Sequence, residues 1–372
     1  MTWKIGILGA TGAVGQKMIE GLAAHPWFRI SEVAASERSS GKPYGQAVNW
    51  LQNSVLPSKV AGLEVKAVKP NLDCDFVFSA LDSSIAGPVE DDFARVGYPV
   101  ISNSRNHRME EDVPLVIPEV NPDHLNLIHR QQRLRRFGSG YIVTNPNCST
   151  VGLAMALKPL DDAFGVTQVM VATMQALSGA GYPGVASLDA VDNVIPYISG
   201  EEEKVESEPR KILGKLDGDS VTFASMQISA HCNRVSVSDG HTESVSVRLK
   251  KRASMEEVRE ALANFSGEPQ KLGLPSAPKH PIVVRDEADR PQPKRDRNAE
   301  DGMSVSVGRI RPCSILDFKF TLLVHNTIRG AAGAAILNAE LLADRGLISH
   351  RVSNDQGGDL RGHLSADSTY AR

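Results

Sequence analysis

Short apolar runs alternate with amphipathic segments through the first 144 residues of the chain. Amphipathic spacing predicts helices at Gln16–Ala24 and Gly87–Val96. The runs that predict buried strands are Lys4–Leu8, Ile30–Ala35, Asp75–Leu81, Pro99–Ser102 and Tyr141–Thr144. Strands that alternate with helices are typical of a parallel, doubly wound α/β sheet, and near-continuous apolar strands indicate that both of its faces are covered.

The pattern changes after Thr144. A helix is predicted at Ser149–Leu160, and the later strands alternate between apolar and polar residues, which favours a mostly antiparallel sheet with one buried face. The alternating stretches are Thr167–Ala176, Asn233–Leu249, Ser304–Ile310 and Leu316–His325. Further helices are predicted at Val185–Tyr197, Met255–Asn264 and Ile328–Ala343. We expect Arg285–Gly302 to be a surface loop and Asn354–Arg372 to be a disordered tail.

Composition narrows the function classes. The chain has 372 residues, 41% hydrophobic and 23% charged, and its formal net charge of −3 gives no general reason to expect a nucleic acid partner. No apolar run approaches the ~18 residues of a membrane-spanning helix, and no signal-peptide pattern is present. The four cysteines form no CxxC pair. We therefore expect a reduced, cytoplasmic protein with no membrane partner and no metal site.

A glycine-rich turn follows the first predicted strand and opens the first helix. Gly9–Gly15 is a GxxGxxG variant of the dinucleotide fingerprint. Glycines allow a tight turn and a close backbone approach to pyrophosphate, and the helix N-terminus attracts its charge. The turn predicts a Rossmann-type domain, with a ligand-free turn as the alternative. The residues expected to contact the dinucleotide are Gly9, Thr11, Gly12, Ala13 and Val14.

The end of the second strand indicates which dinucleotide binds. Ser36, Arg38 and Ser39 place hydroxyls and a cation where the adenosine ribose is expected, and an arginine there accommodates the 2′-phosphate of NADP. Glu37 is a competing signal, because a carboxylate accepts the 2′-hydroxyl of NAD. Together the residues favour NADP, and the alternative is a solvated polar loop.

Cys148 is the candidate nucleophile. A strand ends at Thr144, an Asn-Pro-Asn turn follows, and the next helix begins beside Cys148. A helix N-terminus lowers a thiol pKa from its usual ~8.5, and only the thiolate is a good nucleophile. The alternative is a small, buried, inert cysteine, which is what we expect of Cys74, Cys232 and Cys313.

Several motifs together resemble one family. Asn147–Thr150, Gly240–Val245 and Gly9–Gly15 are similar to motifs of the aspartate-β-semialdehyde dehydrogenase family, most of all to its archaeal and fungal branch. Further similar stretches are Ser102–Met109, Gln175–Gly181, Gly200–Lys204 and Asp289–Pro293. The resemblance covers residues 3–348.

The resemblance implies a reaction and a set of roles. The reaction is the reductive dephosphorylation of L-β-aspartyl phosphate to L-aspartate semialdehyde, with NADPH as hydride donor, in the biosynthesis of lysine, threonine, methionine and isoleucine. Cys148 would form a thioester, and His241 would act as acid and base. The substrate-binding residues would be Gln175 for orientation, Arg234 for the α-carboxylate, Glu201 for the ammonium, Lys204 and Arg108 for the phosphate, and Asn147. The further cofactor-binding residues would be Ser79, Ser178, Gly179 and Asn326.

The same resemblance implies the domain organisation. Residues 1–147 would form the NADP-binding Rossmann domain, completed by a C-terminal helix at 326–348. Residues 148–325 would form the catalytic and dimerisation domain, and 349–372 a polar tail. A homodimer or homotetramer is expected, with Asp289–Pro293 as a possible subunit contact.

Side chains along a strand alternate between its two faces, and this alternation limits which residues can share one site. Arg234 and His241 are seven residues apart, so they would face opposite sides of an unbroken strand. Both reach one site only if Ser238–Gly240 breaks the alternation. His241 then shares its parity with Val245, on the buried face.

Other interpretations stay open at this stage. Glu201 and Lys204 could form an exposed salt bridge, and Arg108 could be an ordinary surface arginine. Malonyl-CoA reductase resembles the same branch and uses the same cysteine, histidine and NADPH, although its substrate has no ammonium for Glu201 to bind. N-acetyl-γ-glutamyl-phosphate reductase is less similar around the cysteine and histidine. A catalytically silent NADP-binding protein is the alternative outside enzymes.

Overall fold

The computed structural model describes residues 2–351, which contain a six-stranded sheet, a seven-stranded sheet and a two-stranded ribbon. Of the tail predicted at 349–372, only residues 349–351 are described, and Arg351 donates its backbone N–H to Asp75 at 2.8 Å. The prediction for Asn354–Arg372 lies outside the described residues. No helix within residues 2–351 is long and apolar enough to cross a bilayer.

The first sheet is parallel throughout, with strand order β3-β2-β1-β4-β5-β6. Its strands are β1 (Trp3–Leu8), β2 (Phe28–Ala35), β3 (Val65–Ala67), β4 (Phe76–Ser79), β5 (Pro99–Ser102) and β6 (Tyr141–Thr144). The helices that accompany it are α1 (Ala13–Leu22), α2 (Tyr44–Ala47), α3 (Ser58–Ala61), α4 (Ser83–Arg95) and α5 (Leu127–Arg135), with a 3₁₀ turn at Pro122–Asn126. The strand order reverses between β1 and β4, and ligands of such sheets bind at the carboxyl ends of the strands at this switch point.

The second sheet is mixed, with strand order β13-β14-β15-β12-β7-β11-β8. Four of its six neighbouring pairs are antiparallel, while β7–β11 and β13–β14 are parallel, so the mostly antiparallel sheet is confirmed. Its strands are β7 (Val166–Gln175), β8 (Val194–Ile195), β11 (Gln227–Val235), β12 (His241–Leu249), β13 (Ile282–Arg285), β14 (Val305–Pro312) and β15 (Phe318–Val324). The strands β9 (Lys215–Asp217) and β10 (Ser220–Thr222) form the separate ribbon.

Helices cover the inner face of the mixed sheet. The remaining helices are α6 (Cys148–Phe164), α7 (Ser187–Ala190), α8 (Glu201–Ile212), α9 (Met255–Ala263), α10 (Glu268–Leu272), α11 (Pro293–Asp296) and α12 (Gly333–Asp344), with 3₁₀ turns at Leu177–Ala180 and Ala299–Gly302 and a π-helical turn at Ile328–Ala332. The apolar side chains of α6 share one core cluster with β7, β12 and β15, which holds the first turn of α6 against the end of the sheet. Helix α12 instead packs in the core cluster of β1 and β2.

Two predicted elements are wrong. Only Ser187–Ala190 of the helix predicted at Val185–Tyr197 is helical, and Val194–Ile195 joins the mixed sheet as an edge strand. Pro196 and the left-handed backbone of Asp192, with φ of 56°, are incompatible with a continuous helix there. The loop predicted at Arg285–Gly302 contains the short helix α11, whose buried Asp296 accepts a hydrogen bond from Arg290.

Candidate active site

Two adjoining cavities lie at the switch point of the parallel sheet. The inner cavity, of about 380 Å³, is lined by Cys148, and the outer cavity, of about 640 Å³, is lined by Gly9 and Gly12. The residues that line both are Ala13, Val14, Leu81, Asp82 and Gly181. The nucleophile candidate and the dinucleotide turn therefore face one continuous cleft.

The start of α6 positions Cys148. Asn147 is the N-cap of this helix, and its side-chain oxygen accepts the backbone N–H groups of Ser149 at 3.0 Å and Thr150 at 3.3 Å. Cys148 is consequently the first helical residue, one position before the helix start predicted at Ser149, and the predicted placement of the thiol at a helix N-terminus is met. Its sulfur lies 3.2 Å from Nε2 of His241, on the wall of the inner cavity. This is the geometry of a Cys–His pair rather than of an inert core cysteine.

The backbone fixes the protonation pattern of His241. The N–H of Ala176 donates to Nδ1 of His241 at 3.0 Å, so the neutral ring carries its hydrogen on Nε2, which faces Cys148. The imidazole is fully buried, and this burial, with the nearby charge of Arg234, lowers its pKa to about 3. His241 is therefore a neutral hydrogen-bond donor at neutral pH, which differs from the titrating acid and base expected from a free histidine.

The expectation of a lowered thiol pKa is wrong for this state of the protein. Burial raises the pKa of Cys148 to about 12, and the Glu201 carboxylate acts in the same direction. Arg108, Arg234 and Lys204 oppose the shift, because positive charges favour the thiolate. Desolvation outweighs these cations, so Cys148 is a thiol beside a neutral imidazole.

The chain breaks between β11 and β12, so the alternation of side chains is interrupted between Arg234 and His241. Strand β11 ends at Val235 and β12 begins at His241, and the two strands lie on opposite sides of β7. Gly240 takes a φ of 100° at the break, and its N–H donates to Asn326 at 2.8 Å. Arg234 pairs with Gln175 across β7–β11, which brings the guanidinium, the amide and the imidazole to one end of the sheet.

Glu201 is the centre of a buried polar cluster. Its carboxylate accepts hydrogen bonds from Asn147 at 2.9 Å, from Gln175 at 3.2 Å and from Lys204 at 2.6 Å. Burial tends to raise the pKa of Glu201, but Lys204 and these hydrogen bonds outweigh it, so the pKa is lowered. Glu201 is buried, Lys204 is half-buried, and both line the inner cavity, so the pair is not an exposed salt bridge.

Arg108 is also a site residue rather than a surface arginine. It is buried, lines the inner cavity, and donates through Nη2 to the Asn103 carbonyl at 2.8 Å and through Nη1 to Glu208 at 3.0 Å. Its Nε has no hydrogen-bond partner within the described residues. Arg234 donates to the Ala176 carbonyl at 2.7 Å and lines the same cavity. Arg108, Arg234 and Lys204 therefore place three cations on the wall of the cavity that Cys148 lines.

The dinucleotide turn is built for a close approach. Gly9 has a φ of 76°, and a Cβ at this position would lie 2.5 Å from the carbonyl oxygen of Ala80, so no other residue fits. The expected cofactor residues that line the outer cavity are Gly9, Thr11, Gly12, Ala13, Val14 and Ser36. Ser178, Gly179 and Asn326 line the inner cavity, where Asn326 donates to the Ser178 hydroxyl at 2.8 Å.

The structure does not bring every expected cofactor residue to the cleft. Ser79 is fully buried and its hydroxyl donates to Glu90, so its side chain is committed to the core of the parallel sheet. Glu37, the competing signal for NAD, lines the outer cavity beside Ser36, whereas Arg38 and Ser39 lie outside the lining. Lys69, which the sequence did not single out, does line the cavity beside Ser36 and supplies a cation there.

Further residues that no sequence motif indicated lie behind the site. Glu208 and Lys211 are each seven residues after Glu201 and Lys204, so helical periodicity could have placed them on the same face of α8. Gly330, in the π-helical turn, packs against Cys148 and carries no local signal in the sequence. Within residues 2–351 no cluster of histidine, cysteine and acidic side chains is arranged to hold a metal ion.

Comparisons with known proteins identify the family. Residues 4–128 match the semialdehyde dehydrogenase NAD binding domain, and residues 157–329 match the semialdehyde dehydrogenase dimerisation domain. The aspartate-semialdehyde dehydrogenase of Archaeoglobus fulgidus is 52% identical over 94% of this chain and 100% of that protein. The Schizosaccharomyces pombe enzyme is 51% identical over 93% of this chain and 99% of that protein.

A solved structure agrees with these relatives. The crystal structure of aspartate semialdehyde dehydrogenase with NADP from Candida albicans superimposes with a TM-score of 0.87 at 45% identity, covering 94% of this chain and 100% of that chain. The chain therefore belongs to the aspartate-semialdehyde dehydrogenase family, among relatives that include archaeal and fungal members.

Proposed function

We propose that this protein is an NADP-dependent aldehyde dehydrogenase that reduces L-β-aspartyl phosphate to L-aspartate semialdehyde and releases phosphate. The observation that carries the proposal is the 3.2 Å approach of the Cys148 sulfur to Nε2 of His241, in a cavity continuous with the dinucleotide cavity. The family membership supports the same reaction. It belongs to the biosynthesis of amino acids derived from aspartate.

The charges of the inner cavity match those of the substrate. Arg234 is suited to the α-carboxylate, and Glu201 to the ammonium, because each is a buried charge on the cavity wall. Arg108 and Lys204 supply the cations for the phosphate. Gln175 and Asn147 hold the Glu201 carboxylate and so orient the ammonium site.

The first half of the reaction transfers the acyl group. The sulfur of Cys148 forms a bond to the acyl carbon, the bond from that carbon to the phosphate oxygen breaks, the thiol proton passes to the departing phosphate, and phosphate leaves beside Arg108 and Lys204. The Nε2–H of His241 stabilises the thiolate and the oxygen that becomes negatively charged, and this needs no titration of the ring. The product of this half is a thioester on Cys148.

The second half forms the aldehyde. When bound, the reduced nicotinamide supplies the hydride that adds to the thioester carbon. His241 donates a hydrogen bond to the resulting oxyanion, the carbon–sulfur bond then breaks, and Cys148 is released as the thiolate, which takes up from solvent the one proton that the overall reaction consumes. The cluster of Glu201, Asn147 and Gln175 keeps the substrate in place through both halves.

The outer cavity fits NADP. The glycines at positions 9 and 12 let the backbone approach a pyrophosphate, and α1 points its N-terminus at the same place. Ser36, Glu37 and Lys69 line the end of the cavity reached by the adenosine ribose, and Arg38 and Ser39 follow Glu37 in the chain. We assign the 2′-phosphate to this group and assign Ser178, Gly179 and Asn326 to the nicotinamide end, next to Cys148.

The assembly and the domain limits are part of the proposal. A matched dimerisation domain and an outer sheet face that exposes Met170 and Val194 support a homodimer, or a homotetramer built from it. We propose the limits 1–147 with 326–348 for the NADP-binding domain and 148–325 for the catalytic domain. The core clusters support this division, since α12 packs with β1 and α6 with the mixed sheet. A cytoplasmic location completes the proposal.

A side-by-side assay tests the function. We expect phosphate-dependent reduction of NADP with L-aspartate semialdehyde, and little with succinate semialdehyde, because only the first carries an ammonium for Glu201. Malonate semialdehyde with CoA tests the malonyl-CoA reductase alternative. Efficient turnover of malonate semialdehyde with CoA, and none with aspartate semialdehyde and phosphate, would overturn the proposal.

A further inference from the structure

We propose that Glu208 is a positioning residue, which aligns the phosphate-binding Arg108 with the backbone that carries Cys148. The inference rests on the proposed function, in which Arg108 binds the phosphate. Glu208 lies behind the cavity and is not among the residues that line it. Its effect on the reaction therefore has to act through its neighbours.

One buried carboxylate makes both contacts. Glu208 is 2% exposed, and its Oε1 accepts a hydrogen bond from Nη1 of Arg108 at 3.0 Å. Its Oε2 accepts the backbone N–H of Asn147 at 2.6 Å. Asn147 directly precedes Cys148, so a single rigid side chain fixes the distance between the guanidinium and the nucleophile segment.

The contact leaves part of the Arg108 guanidinium available. Nη1 is directed by Glu208 and Nη2 by the carbonyl of Asn103, and each of these nitrogens carries a second N–H for which the described residues supply no partner. Two fixed anchors on one planar group determine its orientation, and a correctly oriented guanidinium binds a phosphate through two parallel hydrogen bonds. The loss of one anchor should therefore impair phosphate binding more than cofactor binding.

A second buried side chain, Lys211, also holds the loop of Arg108, through hydrogen bonds that do not include Glu208. The ammonium of Lys211 donates to the carbonyls of Arg108 at 2.7 Å, Glu110 at 2.7 Å and Val113 at 2.9 Å. Lys211 is one turn after Glu208 on α8. A change confined to Glu208 should leave the backbone of the loop in place and alter the guanidinium itself.

The first test is the variant Glu208→Gln, assayed in the direction that consumes L-aspartate semialdehyde, NADP and phosphate. Because glutamine replaces one of the two accepting carboxylate oxygens with an NH2 donor, it loses the contact to either Arg108 or Asn147, and we expect the KM for phosphate to rise about tenfold or more, and the KM for NADP to stay within about twofold. Glu203→Gln, an exposed position on the same helix, is the matched control and should behave as the wild type. An unchanged KM for phosphate, with or without a lower kcat, overturns the inference.

A double-mutant cycle separates action through Arg108 from general damage. Arg108→Met should raise the KM for phosphate by itself, and adding Glu208→Gln should raise it no further. If the increases in the KM for phosphate caused by the two substitutions multiply in the double variant, Glu208 acts independently of Arg108 and the inference is overturned. If Glu208→Gln does not fold, Glu208→Asp is assayed with the same criteria.

The activity of the wild type separates a failure of the proposed function from a failure of the positioning role. If it shows no phosphate-dependent reduction of NADP with aspartate semialdehyde, the proposed function fails. If the wild type is active and the Glu208 variants keep its KM for phosphate, only the positioning role fails.

Discussion

Opposing charges act on the sulfur of Cys148. Burial and the Glu201 carboxylate raise the pKa of its thiol, while Arg108, Arg234 and Lys204 favour the thiolate. In the proposed reaction the substrate ammonium pairs with Glu201, which offsets the nearest negative charge. Binding of the substrate would then help to ionise the nucleophile that attacks it.

The first prediction separates the two effects of Glu201. Glu201→Gln removes a negative charge near Cys148, so its thiol pKa should fall and alkylation by iodoacetamide at pH 8 should accelerate, by about tenfold for each unit of pKa. Turnover should fall, because the ammonium loses its counter-charge. Rates of alkylation and of NADP reduction are compared with those of Glu203→Gln. Slower alkylation than in the wild type would contradict this view of the charges.

Sequence motifs located the reactive side chains, but they did not reveal which atoms of those side chains carry protons. The sequence placed Cys148 at a helix start and His241 on the buried face of a strand, and both are found there. It did not reveal that the Ala176 N–H occupies Nδ1, because that contact joins strands 65 residues apart in the chain. Ser79 illustrates the same limit, since its partner Glu90 lies on another element.

The π-helical turn Ile328–Ala332 is the element that backs the nucleophile. A Cβ at Gly330 would lie 2.7 Å from Cβ of Cys148 and 3.0 Å from its Cα, closer than packed atoms approach. π-Helical turns occur frequently at functional sites. Here the turn allows the chain to pass close behind the first residue of α6.

The second prediction is that Gly330→Ala displaces Cys148 or the turn. Turnover should fall at least about tenfold, since displacements of ~1 Å can cost a hundredfold in rate, while far-UV circular dichroism stays unchanged. Gly62→Ala is the control, because its φ is −82° and the nearest atom to a new Cβ lies 3.9 Å away. Wild-type kinetics in Gly330→Ala would show that the close packing has no role.

Helices and strands were predicted well where the hydrophobic periodicity was strong. The prediction failed where one segment carried signals both for a helix and for extended backbone. The strands β5 and β6 were predicted with their observed bounds, and α9 to within one residue. The segment 185–197 has enough apolar residues for a helix, but its β-branched residues at 191, 194 and 195 and its Pro196 favour extended backbone. The π-helical turn could not be predicted, because local sequence does not distinguish it from the helix that follows.

At the scale of the molecule, a buried ion pair connects distant parts of the chain. Arg329 and Glu119 are both fully buried, and Nη1 of Arg329 donates to Glu119 at 2.9 Å. The pair links the π-helical turn to the segment that follows β5. Such a pair contributes little net stability, but the removal of one partner leaves a buried charge alone.

The third prediction follows from that asymmetry. Arg329→Met should lower the free energy of unfolding by about 3–5 kcal/mol, measured by urea denaturation. Arg133→Met breaks an exposed pair with Asp219 and should cost about 0–1 kcal/mol. Equal losses of unfolding free energy in the two variants would contradict the distinction between the buried and the exposed ion pair.

The sequence predicted both sheets from their patterns, but no pattern links residues 210 positions apart.

Trapping the acyl group on Cys148 tests the central claim most directly. The protein is mixed with L-aspartate semialdehyde and NADP without phosphate, quenched in acid, and its peptides are weighed by mass spectrometry. The account predicts about one NADPH per active site and one aspartyl group on the peptide that contains Cys148, and neither in Cys148→Ser. An acyl group on another residue, or full steady-state activity in Cys148→Ser, would contradict the account.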